Sequence, residues 1–277
     1  MNDASSVETD IPTSAWPEWC YFNEVNSILR KVIAAAKDAE SSRVGALYPL
    51  LDSIEESVSS LRTLASMQAL RDSYVISRVI YETSINACFL LTSPVELTNR
   101  ANTHAKQKAL RNLVRRIEIA GYPLFEFKAR GAEEILQDPG HKQWLADFTS
   151  KSGREITSWT PENVQQRLEV IYTAFGSEAA KGLAFGLLLY RHASEIAHGT
   201  LYGTLFSWGA MELGRPLRSP EDLAVFRRAE LRHVLKLISF TLESLVHVCA
   251  QVLSQQPLAE QATKARMNYY ESRGKNA

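Results

Sequence analysis

Apolar residues recur three and four positions apart along most of this chain. Trp19, Phe22, Val25, Leu29 and Val32 form one stripe that begins just after Pro17 and fades near residue 40. Leu50, Leu51, Ile54, Val58 and Leu61 form a second stripe and predict a helix over 47–65. A third helix is expected over 68–91. Ser93-Pro94-Val95-Glu96 has the form of a capping box with Pro at the first helical position, so a fourth should begin there. It is expected to run to about residue 120 and stop at Gly121. The segment 121–160 is broken by Pro123, Gly131 and Pro139-Gly140 and predicts short helices on an insert.

Thr160-Pro161 opens another helix, ended by Gly176, and Ser177 caps the next, which runs to about His198. An aromatic-rich loop is expected over 199–214. Ser219-Pro220-Glu221-Asp222 caps the longest helix, which lasts to about Gln255, and a polar tail of helical composition closes the chain. No stretch alternates cleanly with period two. No internal repeat of about 20–50 residues occurs, so a solenoid is not supported. The expected architecture is all-α, an antiparallel bundle of about seven helices with no sheet. Its expected division is an acidic arm over 1–15, one bundle domain over 16–256 with an insert near 121–160, and a tail over 257–277.

Composition supports few turns. The 277 residues include 13 Gly and 10 Pro, below the usual shares of about 7% and 5%. Three cysteines, Cys20, Cys88 and Cys249, are widely spaced and form no CxxC pair, so buried reduced thiols are expected rather than a disulfide framework or a zinc site. The N-terminus lacks the order of a signal peptide, and the longest apolar run, 183–190, is too short to span a bilayer. The expectation is a soluble protein of the reducing cytosol. No P-loop, GxGxxG, HExxH or nucleophile elbow is present, and no cofactor or metal is expected.

The segment Tyr190-Arg-His-Ala-Ser-Glu-Ile-Ala-His198 carries the most chemistry. At about 100° per residue, Arg191, Ser194, Glu195 and His198 share one helical face. The turns before it, 182–189, are apolar all round, which predicts burial. Gly182 and Gly186, four apart, would admit a close neighbour helix. A buried polar stripe needs partners, and the third helix offers Arg78 and Glu82. Two Arg-x3-Glu units could pair across, Arg78 with Glu195 and Arg191 with Glu82, as a neutral quartet locking two helices. That is the structural reading.

The catalytic reading uses the same residues. RNA cleavage without a metal needs a base for the 2′-hydroxyl proton, an acid for the leaving oxygen and a cation for the phosphorane charge. An imidazole ordinarily titrates near pH ~6.5, the range this work requires, which suits His198. Arg191 supplies a planar, permanent charge for phosphate. One His cannot be acid and base at once, so a two-fold dimer apposing two stripes is expected.

Arg191-x6-His198 resembles the Arg-x(4–6)-His signature of the HEPN superfamily, with His192 where Asn or Asp usually follows the Arg. The resemblance implies a helical bundle acting as a metal-independent ribonuclease of toxin–antitoxin or antiviral type, with a composite site at a dimer interface. Arg78-x3-Glu82 followed by Tyr190-Arg-x2-Ser-x3-His198 is similar, over roughly residues 45 to 255, to an uncharacterised prokaryotic all-helical domain family. The implied catalytic pair is His198 and Arg191, supported by Glu82, Arg78, Glu195, Ser194 and His192. The implied partners are a second copy, RNA and a cognate regulatory protein. The alternative class is a non-catalytic interaction or nucleotide-sensing module.

Charge adds one feature. The 31 basic and 31 acidic side chains cancel, which excludes a uniformly basic nucleic-acid coat. The cancellation is uneven: residues 1–29 hold Asp3, Glu8, Asp10, Glu18 and Glu24 and no Lys or Arg. Lys106, Lys108, Arg111, Arg115 and Arg116 make the expected fourth helix basic against Glu118 alone, a candidate nucleic-acid backbone contact. The acidic arm could screen that helix. The tail, with Lys264, Tyr269 and Tyr270, mixes basic and stacking residues, and a frayed amphipathic end is expected there.

Overall fold

The computed structural model describes residues 12–39, 47–209 and 219–274. Their helices match the hydrophobic periodicity closely at the start: α1 spans Pro17–Asp38, α2 Leu47–Ser66 and α3 Leu70–Leu90. Then come α4 (Pro94–Asn112), the strands β1 (Val114–Ile119) and β2 (Tyr122–Lys128), and the short helices α5 (Ala132–Gln137) and α6 (Pro139–Asp147). The remainder is α7 (Val164–Phe175), α8 (Ser177–Ala197), α9 (Leu201–Ser207), α10 (Pro220–Val252) and α11 (Gln256–Gly274). The protein is mostly helical, with eleven α-helices among the described residues rather than about seven.

The expectation of no sheet is corrected. α4 ends at Asn112, and the chain turns back on itself at Ala120-Gly121, both with positive φ (52° and 80°). Two consecutive left-handed residues form the tight turn that matches hairpin twist. β1 and β2 pair antiparallel, with a register shift between Ile117 and Glu118. Every residue of both strands is exposed, so no face buried within the chain imposes a period-two alternation on the sequence.

Two compact units divide the chain: residues 1–92 with 164–277, and residues 93–163. The first is built around α10, which packs against α8, α1, α3 and α11. From Leu231 to Ala250 nearly every α10 residue is buried, and the hydroxyls of Ser239 and Thr241 return to the carbonyls of Leu235 and Leu237 at 2.7 and 3.1 Å. Among the described residues α10 is the one helix long and apolar enough to cross a membrane, and 83% of its most apolar window is buried by its neighbours. A polar side chain of the Ser219 cap accepts the Asp222 N–H at 3.1 Å, as the sequence implied. Gly182 of α8 sits against α10 so closely that a Cβ there would lie 2.0 Å from the Phe240 carbonyl oxygen.

Three further expectations change in this unit. The polar tail is an ordered helix, α11, which buries Leu258, Ala259, Ala262, Ala265 and Tyr269 against α1 and α10. Part of the expected loop over 199–214 is α9. Cys88 and Cys249 are buried free thiols, pushed up by desolvation, but Cys20 is exposed.

The second unit holds α4, the hairpin, α5 and α6, and the insert expected at 121–160 falls inside it. Ser93 flanks α4 without a side-chain capping bond. Arg111 ties the unit together: Nε donates to Gln107 Oε1 at 2.7 Å, and Nη2 donates to Thr149 Oγ1 at 2.7 Å and to the carbonyls of Leu145 and Phe148 at 3.3 Å.

Candidate functional site

α8 presents the candidate stripe. Arg191 and His198 are exposed, while His192, Ser194 and Glu195 are half-buried. Among the described residues neither the Arg191 guanidinium nor the His198 imidazole makes a hydrogen bond or ion pair. They lie seven residues, or about 10 Å of helix rise, apart on one face. The helix stops at His198 because Gly199 takes a left-handed φ of 64°. The Thr200 and Gly199 N–H groups then donate to the carbonyls of Glu195 and Ile196 at 3.2 and 3.1 Å, a Schellman closure.

Burial all round 182–189 is not what the structure has. Phe185, Leu187 and Leu188 are 40%, 38% and 60% exposed, and only Gly182, Leu183, Gly186 and Leu189 face the core. α8 has an apolar outer face leading into Arg191 because α7, α3 and α10 cover one side of it and no described element covers the other. Val170 and Tyr172 of α7 are also exposed.

The cross-paired quartet does not form either. Arg78 Nε pairs with Glu82 Oε1 at 3.1 Å within α3, and the Arg78 guanidinium lies over the Tyr190 ring, 5.3 Å from its centroid. Burial and the Glu82 carboxylate both push the Tyr190 phenol above its ordinary pKa. Glu195 accepts instead from Thr200 Oγ1 at 2.8 Å, and Thr200 caps α9 by accepting the Gly203 N–H at 3.1 Å. Geometry decides this: side chains four apart on one helix already meet, and the short turn brings Thr200 to Glu195 first.

His192 plays a packing part. Its ring stacks on Phe206 of α9 at 4.4 Å, and Nδ1 lies 3.1 Å from the Tyr202 hydroxyl. Burial lowers its pKa below the ordinary histidine value, and Arg191 lowers it further against the pull of Glu230. The sequence had singled out His192, but not Tyr202 and Phe206 as its partners.

The basic residues of the second unit are largely engaged. Lys108 pairs with Glu155 at 2.5 Å, and Lys106 Nζ stands 4.5 Å from the Trp144 ring centroid. Arg111 is the interior tie described above. Arg115 and Arg116 are strand residues, not helix residues: Arg115 Nε donates to Asn112 at 2.9 Å, and Arg116 pairs with Glu118 at 2.7 Å. A run of one charge in sequence therefore becomes a set of local pairs. The acidic arm expected over 1–15 lies outside the described residues up to residue 11.

A second cluster was not singled out. Glu243 of α10 is buried, 3% exposed at its side chain, and accepts the Tyr21 hydroxyl at 2.6 Å. Arg266 Nε and His247 Nε2 stand 3.4 and 3.5 Å from its other oxygen. One signal was available: Glu243 is a lone carboxylate within the apolar run that follows Lys236. Glu18 of α1 is equally buried, accepting from Arg232 Nε at 3.0 Å and the Tyr269 hydroxyl at 3.2 Å.

A family model described as a family of unknown function (DUF5677) matches residues 46–210, more than half of the chain. The chain belongs to this family. The match runs from α2 through α9 and so contains Arg78, Glu82 and the whole Arg191–His198 segment. It stops short of α1, α10 and α11, which carry Glu18, Glu243 and Arg266. No curated protein and no solved structure matches the chain.

Proposed function

We propose that this protein is a HEPN-like, metal-independent endoribonuclease of host-defence or toxin–antitoxin type, acting as a homodimer through a composite site. The observation that carries the reading is the outer face of α8, where exposed Leu187 and Leu188 lead directly into Arg191 and His198, which pair with no described residue. An exposed apolar patch of this kind marks an interaction surface. A two-fold contact along it would bring two such Arg–His pairs together.

In that site one His198 takes the proton of an RNA 2′-hydroxyl as its oxygen attacks the adjacent phosphorus. The P–O5′ bond breaks, leaving a 2′,3′-cyclic phosphate. The His198 of the second copy gives its proton to the departing 5′-oxygen. Arg191 balances the charge gathered on the phosphorane oxygens. Glu195, through Thr200, and the Arg78–Glu82–Tyr190 cluster set the position of α8. They are positioning residues. RNA and a cognate regulatory protein are the proposed partners.

The test is cleavage of mixed RNA in EDTA by wild type, Arg191→Ala and His198→Ala. Both positions are exposed, so folded variants are expected. Cleavage by wild type and loss in both variants supports the reading. Equal background in all three folded proteins overturns it.

The closed Arg78–Glu82 pair favours the second reading, a non-catalytic interaction or nucleotide-sensing module, for the α3 half of the motif. Arg191 has no such partner among the described residues.

A further inference from the structure

The hairpin of the second unit is uncovered on both faces, every residue of β1 and β2 being exposed. Its register sorts the side chains by polarity. Residues paired across an antiparallel ladder share a face, and successive pairs alternate between faces. The pairs Arg115–Phe127, Ile117–Phe125 and Ile119–Tyr122 therefore lie on one face, and Val114–Lys128, Arg116–Glu126 and Glu118–Pro123 on the other. The second face is charged, with Arg116 and Glu118 ion-paired along it at 2.7 Å. The first carries five large apolar side chains, between 46% and 74% exposed, and one charge.

A lone two-stranded hairpin is marginal in water unless something packs on its apolar face. Scattered exposed apolar residues are ordinary, but five on one face form a contiguous patch. At about 200 Å² for a side chain of this size, they leave about 600 Å² open. Two such faces together would hide about 1,200 Å², the lower bound of a specific protein–protein contact. The bulge after Ile117 and the missing N–H of Pro123 hinder a further strand from adding at the hairpin's edge. The face is the available surface.

We propose that this face docks a second copy of the chain, the two hairpins stacked face to face about a two-fold axis with tip over base. Its one charge selects that order. Arg115 sits at the base, where its Nε donates to Asn112 at the end of α4 at 2.9 Å. Tip over base lays this guanidinium on the partner subunit's Tyr122 ring, an attractive cation–π contact, whereas base over base opposes two cations. With so little area the contact is weak, formed at about 10 µM and above. It is separate from the α8 face and does not rest on the ribonuclease reading, which its failure would leave untouched.

The test is sedimentation equilibrium of the full-length Leu188→Asp variant, in which the α8 contact is disabled, from about 5 to 300 µM. Dimer should appear across that range. Adding Phe125→Asp should raise the concentration needed at least roughly tenfold. Ile119→Asp, near the turn, should act alike, and both positions are exposed, so the fold is kept. Disulfide capture reads the orientation, in a Cys20→Ser background because Cys20 is the exposed cysteine. Arg115→Cys mixed with Tyr122→Cys should cross-link, and neither variant alone should. A Leu188→Asp protein that is monomeric at about 300 µM overturns the proposal. So does dimerisation unchanged by Phe125→Asp and Ile119→Asp, or equal capture of mixed and single variants.

Discussion

The Arg78 guanidinium lies over the ring of Tyr190, 5.3 Å from its centroid, while its Nε is held 3.1 Å from Glu82 on the same helix. Two polar groups of α3 are thereby anchored to α8 one residue before Arg191. Tyr190→Leu removes the ring and its hydroxyl contacts and should lower stability by about 2 kcal/mol. Tyr190→Phe keeps the stack and should lose about half as much. Urea unfolding of the two variants measures the difference, and equal losses would show that the ring contributes nothing.

Gly182→Ala should destabilise by about 3 kcal/mol, because overpacking here presses on backbone. Its Cβ would meet the Phe240 carbonyl oxygen at 2.0 Å, and a helix backbone cannot rotate away. Gly186→Ala meets the Tyr81 ring at 2.2 Å and should cost less, since a ring can shift. Denaturant midpoints of the two variants rank them.

Leu188→Asp tests the α8 face. The residue is 60% exposed, so the change should move stability by no more than about 0.5 kcal/mol. Light scattering after gel filtration should show a smaller species than wild type, with RNA cleavage lost together with self-association. A monomeric wild type, or a variant of unchanged size, would remove α8 as the dimer contact.

Acid should weaken the fold partly through His192. Burial holds its imidazole below the ordinary histidine value, so the unfolded chain takes up the proton first. Stability is therefore complete above the unfolded value of about 6.5 and is lost as pH falls through it. His192→Phe keeps a ring against Phe206 and removes this titration. Its urea midpoint should fall less steeply than wild type between about pH 7 and pH 5. Identical slopes would exclude His192 as a contributor.

Much of the first unit was legible because an amphipathic helix writes its buried face into the spacing of its apolar residues. α1, α2, α3 and α10 follow that spacing, and Ser219 caps α10 as its sequence implied. The closeness of Gly182 to a neighbour was also legible, since only a residue without a side chain lets two backbones meet. The hairpin was not, because a strand of six residues with a bulge in it lacks enough alternation to stand out, and its turn depends on the φ angles of Ala120 and Gly121.

Sequence alone determined that the chain is mainly helical and that Arg191 and His198 share one helical face. These follow from local periodicity and side-chain identity. Tertiary structure decided which groups meet and which face water. It gave Arg78 to Glu82 and Tyr190, gave Glu195 to Thr200, engaged the basic run of the second unit in local pairs, and left Leu187 and Leu188 uncovered. It also placed Tyr21, Arg266 and Tyr270 around Glu243, from positions more than 200 residues apart in one case. A helical pattern states only that a face is apolar; which neighbour covers it, or whether any does, depends on how the whole chain packs.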